Sequence, residues 1–74
     1  MNVHQDVQRA RDLRSLRCDL DYYRSEMSLA SRAASVHERR GHHDLARHER
    51  DRAEDVARAI ADTERSISYL LRQV

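Results

Sequence analysis

The side chains best suited to chemistry gather near the middle of the chain. His37, His42, His43 and His48 surround the stretch Arg39-Arg40-Gly41. Imidazole is a common metal ligand, and zinc needs three or four donors in tetrahedral geometry. A chain folded back at Gly41 brings His37 toward His48, with Glu38, Asp44 or Glu49 available to complete a site. The spacing does not specify one. Ligand pairs on a helix are usually four residues apart, whereas His43 and His48 are five apart with no cysteine near them. Polar residues at an exposed turn explain the cluster more simply. No metal and no cofactor is therefore assigned. Histidine titrates near neutrality, so association is expected to be mildly pH-dependent.

Cys18 is the only cysteine, which excludes a disulfide framework and favours a reducing, intracellular compartment. With no histidine near it in the sequence, it does not read as half of a catalytic dyad. The chain lacks a glycine-rich phosphate loop, a nucleophile elbow and a His-Glu-x-x-His motif. An enzyme is not expected.

The elements that position these residues are helices. There is no proline, and Gly41 is the single glycine, which argues against a sheet-and-turn protein. Hydrophobic content of 39% beside 36% charge suits an exposed, charge-laced helical hairpin better than a thick globular core. The 74 residues amount to one domain at most. The expected fold is all-α, an antiparallel two-helix hairpin of coiled-coil type that dimerises into a four-helix arrangement. The expected spans are a helix over about 3–40, a turn at 41–44 and a helix over 45–74. Asn2 with Gln5 resembles a capping box. Gly41 suits the left-handed residue that ends a helix, Arg39 and Arg40 favour the preceding dipole, and Asp44 is the expected N-cap of the second helix.

Each helix carries a seam of apolar residues spaced by threes and fours. In the first it is Leu13, Leu16, Leu20, Tyr23, Met27, Ala30 and Ala34. In the second it is Ala46, Glu49, Ala53, Val56, Ile60, Thr63, Ile67, Leu70 and Val74, widened by Leu45 and Leu71. Folding at Gly41 layers Ala34 on Glu49, Ala30 on Ala53, Met27 on Val56, Tyr23 on Ile60, Leu20 on Thr63, Leu16 on Ile67 and Leu13 on Leu70. The second helix then ends opposite Ala10, and Val3 and Val7 overhang. Outside the seam, Arg47/Asp51, Arg50/Glu54, Glu54/Arg58 and Arg58/Asp62 are spaced to pair along the helix.

The first helix has a second apolar face. At about 100° per residue, Cys18, Tyr22, Ser25, Leu29, Ala33 and Val36 lie away from the seam. The second helix has no counterpart. Small residues (Ser25, Ser28, Ala30, Ser31, Ala33, Ala34, Ser35) crowd the same region and allow close helix approach. A helix with two apolar faces has two neighbours, and the hairpin supplies one. The six face residues are therefore the candidate partner-binding site. The partner is a second copy of the chain, an unidentified protein, or both. A two-fold dimer would cross its first helices antiparallel around Ser25 to Leu29.

The charge balance limits the alternatives. Fourteen arginines and thirteen carboxylates are interspersed and the net charge is +1, so indiscriminate nucleic-acid binding is not the default. Arg9, Arg11, Arg14 and Arg17 nevertheless offer phosphate contacts, and a small nucleic-acid-binding accessory protein is the alternative reading. Asp6, Asp12, Asp19 and Asp21 interleave with them, and no helix-turn-helix pattern appears. No run has the length of a membrane span and no signal-peptide core is evident, so a cytoplasmic protein with no membrane partner is expected. Lysine is absent while Ala, Arg and Asp abound, a bias of GC-rich coding sequences. That bias points to a bacterial or phage source and not to a function; an accessory or inhibitory role is expected by analogy only. The bend lacks the Trp-x-Gly signature of small secreted helical hairpins, as the chain has no tryptophan.

Overall fold

A computed structural model describes residues 3–73. It consists of α1 (Val3–Arg39) followed by α2 (His43–Arg72), packed against each other along their length. The molecule is a rod of 60 × 14 × 11 Å. Its long dimension is that of α1, since 37 residues at about 1.5 Å each span about 55 Å. The chain is thus an all-helical hairpin, and no strand occurs among the described residues.

The bend is built by Gly41, whose φ is +79°. Its N–H donates to the Glu38 carbonyl at 3.1 Å, and the His42 N–H donates to the His37 carbonyl at 2.8 Å. These two bonds define a Schellman motif, which satisfies carbonyls that the end of a helix leaves open. The motif normally adds an apolar contact between its outer residues. Here His37 and His42 occupy those places, with ring centroids 6.1 Å apart.

The second helix begins two residues earlier than expected. Its N-cap is His42, not Asp44, and the His42 side chain makes no capping hydrogen bond. The Schellman bonds end α1 so closely that only Arg40, Gly41 and His42 separate the helices, and the His42 carbonyl already accepts from the Ala46 N–H at 3.0 Å. Asp44 falls inside the first turn, where its charge favours the helix dipole. The proposed cap at Asn2 and the seam position at Val74 lie outside the described residues.

The seam is thin. Leu20, Ala30, Ala34, Ala46 and Thr63 are its buried members. Leu13, Leu16, Tyr23, Met27, Ala53, Val56, Ile60, Ile67 and Leu70 are half-buried. No large side chain is fully buried among the described residues. Near the turn the core is alanine, with Ala30 and Ala46 fully covered; toward the open end it is Leu, Ile and Tyr. Thr63 fits there because its Oγ1 donates to the Ala59 carbonyl, 2.8 Å away, so the hydroxyl is not left unpaired. His37 is half-buried and extends the seam by one layer toward the turn, and its Nδ1 has no hydrogen-bond partner.

Charges join the helices across the seam. Glu38 accepts from Arg50 Nη2 at 3.0 Å and pairs with His43 Nδ1 at 2.9 Å. Arg52 joins Glu26 of α1 and stands 3.6 Å from Glu49 of its own helix. Arg24 lies 3.9 Å from Glu64. These pairs straddle the expected layers and support their register. None of the four expected i, i+4 pairs of α2 closes among the described residues. Arg50 crosses to Glu38 instead, while Arg58 turns back to Asp55 and Arg65 to Asp62. The i, i+3 neighbour and the opposite helix both compete for these long side chains, and sequence spacing alone cannot rank them.

Candidate functional site

The outer face of α1 follows from residue types at helical spacing. Cys18, Tyr22, Ser25 and Leu29 are exposed there, and Ala33 and Val36 are half-buried. Tyr22 is 61% and Leu29 55% exposed, large values for apolar side chains on an ordered helix. Cys18 is a free, exposed thiol. The Tyr22 ring meets Tyr23 edge-on at 5.8 Å, so a seam tyrosine braces an outer-face tyrosine.

The two helices use their apolar residues differently. In α2 they concentrate on the side facing α1, whereas in α1 they are spread over two sides. The hairpin accounts for one of those sides only. Two shallow hollows mark the outer face. Arg14, Arg17, Cys18 and Asp21 border one of about 360 Å³; Ser25, Ser28, Leu29 and Arg32 border one of about 270 Å³. Asp21 and Arg32 are exposed and make no ion pair or hydrogen bond among the described residues.

A larger groove of about 670 Å³ lies at the open end of the hairpin, floored by Leu16 and Leu70 and edged by Asp12, Asp62, Arg65 and Tyr69. Residue spacing alone did not reveal it, because it forms between seam residues of both helices beside the exposed Tyr69. Arg65 at its edge is already paired with Asp62. Val3 and Val7 are exposed near this end.

The turn cluster does not assemble into a ligand set. Among the described residues no three His, Cys, Asp or Glu side chains stand where they could share a metal ion. His43 is held by Glu38, and His37 faces His42. Arg50 and, after it, His43 draw the Glu38 carboxyl below the ordinary glutamate range by hydrogen bonding to its charged form. These contacts brace the bend. Among the described residues, no helix is long and apolar enough to cross a membrane.

Comparison with protein families, curated proteins and solved structures returns no match to this chain. The functional reading therefore rests on the geometry alone.

Proposed function

We propose that the chain is a non-enzymatic protein–protein interaction module that acts through the outer face of α1. One observation carries this reading: Tyr22 and Leu29, two turns apart, are more than half exposed on the side of α1 that α2 leaves uncovered. Scattered apolar residues are ordinary on a surface. Here they share one stripe with Cys18 and Ser25, on a helix whose other side already has a partner. The thin seam supports the same reading, since a two-helix chain of this size gains stability by burying a further face. A small cytoplasmic accessory or inhibitory protein is the role such an object fits.

The test is Tyr22→Glu combined with Leu29→Glu, compared with Arg58→Glu on the outside of α2. Each chain is immobilised and exposed to itself and to extract of the native host. The pair on α1 abolishes specific binding while Arg58→Glu leaves it intact; equal binding by all three chains refutes the reading. Folding of an isolated hairpin survives both sets, because surface substitutions usually change stability by about half a kcal/mol or less.

Nucleic-acid binding is the second reading. Arg11, Arg14 and Arg17 are exposed and without carboxylate partners among the described residues, whereas Arg9 lies 3.4 Å from Asp6. Affinity for random duplex DNA that falls steeply with salt would favour it, and absence of binding at low salt removes it.

A further inference from the structure

The outer face of α1 has two edges that differ in chemistry. At about 100° per residue, Tyr22 and Leu29 lie along one edge, Asp21 and Arg32 along the other, and Ser25 and Cys18 run between them. The midpoint of Tyr22 and Leu29 and the midpoint of Asp21 and Arg32 fall within one residue of each other, beside Glu26. A two-fold axis at that point, perpendicular to the helix, sets each edge against the same edge of a second copy running in reverse. Tyr22 then meets Leu29 of the second copy, and Asp21 meets Arg32 of the second copy, each twice. Ser25 and Ser28 near the axis let the backbones approach, as small residues do at helix crossings.

From this arrangement we infer that the face is self-complementary and that its occupant is a second copy, with α1 packed antiparallel on α1 and reciprocal Asp21–Arg32 pairs setting the register. The inference rests on the outer-face reading and names its partner. Within one chain Asp21 and Arg32 are 11 residues apart, about 16 Å along the helix, too far to pair with each other. Neither has another charged partner among the described residues, and both are exposed. Charge placed this way steers register and excludes the alternative orientation. A parallel pairing turns each edge against the opposite edge, so Asp21 and Arg32 face the Tyr22 and Leu29 edge of the second copy and no Asp21–Arg32 pair forms. The result is a four-helix assembly whose middle layer is the two first helices.

Sedimentation of the full chain over a wide concentration range tests this, with Asp21→Arg, Arg32→Asp and both changes in one chain. Each single reversal creates two like-charge contacts per dimer and weakens self-association about tenfold or more. The combined chain restores the opposite-charge pairs and recovers most of that loss, while circular dichroism shows equal helicity for all. A combined chain that associates no better than the single variants overturns the inference, as does a wild type monomeric at every concentration. Tyr22→Glu with Leu29→Glu separates this from the broader reading. A monomeric wild type whose capture of another protein is lost in that variant overturns self-pairing alone. A dimer that survives the variant overturns both.

Discussion

Gly41 offers the sharpest test of what holds the hairpin. Its φ of +79° lies in the left-handed region, and a Cβ added there meets nothing within 4 Å. Substitution therefore costs backbone conformation and nothing else. An L-residue in that region is disfavoured by about 1–2 kcal/mol. Losing glycine also narrows the unfolded ensemble, which offsets about 0.4–1 kcal/mol. Gly41→Ala is thus expected to destabilise by about 0.5–1 kcal/mol, and Gly41→Val by about 1 kcal/mol or more because β-branching adds strain. D-alanine is the control. It favours positive φ and keeps the benefit in the unfolded state, so it should stabilise by about 0.4–1 kcal/mol. The chain is short enough for chemical synthesis, and thermal unfolding followed by far-UV circular dichroism reads the result. For a domain of this size each kcal/mol shifts Tm by about 4–8 °C. All chains are compared at one concentration, so that association contributes equally. Equal effects of L- and D-alanine would refute the reasoning and show that the bend does not depend on the sign of φ at residue 41.

Three further outcomes are expected. Ile60→Asp or Leu20→Asp places an unpaired charge in the seam and should unfold the chain or nearly so, whereas Arg58→Ala costs about half a kcal/mol or less; matching thermal stabilities would show that the seam is misplaced. Arg52→Met strands the largely covered carboxylates of Glu26 and Glu49, and should lower denaturant stability by about 1–2 kcal/mol; no change would show that Arg52 does not neutralise them. Glu38, held below its ordinary range first by Arg50 and then by His43, contributes stability that is present above the unfolded glutamate pKa of about 4.3 and is lost as pH falls through the lower folded value. Glu38→Gln should therefore be less stable than wild type near neutrality and lose that difference below about pH 4; a constant difference down to pH 2 would contradict the linkage.

Much of the architecture was legible before folding because the signals are local. A three-four spacing of apolar residues places Leu20, Ala30 and Ala34 on one side of α1 whatever the rest of the chain does, and those residues are its buried members. A lone glycine after Arg39-Arg40 marks the one place where positive φ is inexpensive, and the bend is there. The uncovered stripe at Cys18, Tyr22, Ser25 and Leu29 was visible for the same reason. A face is a property of a single helix, and its lack of a partner in α2 shows in the composition of α2.

What the sequence left open depends on distances between helices. Asp44 looks like a cap by residue type, but the Schellman bonds from Gly41 and His42 end α1 so tightly that α2 starts at His43 and His42 takes the capping place. Arg50 has an acid four residues on, yet it reaches across to Glu38, because folding brings a carboxylate on the other helix within 3.0 Å. The histidines share a stretch of sequence but not a ligand geometry, since one pairs with Glu38 and two face each other. The open-end groove exists only because the hairpin brings Leu16 and Leu70 to line one hollow. Helix period is written residue by residue, so the sequence alone determined the two helices, their seam and the spare face. Which charged side chain finds which partner is a competition among groups a few ångströms apart, and only the packed hairpin decided it.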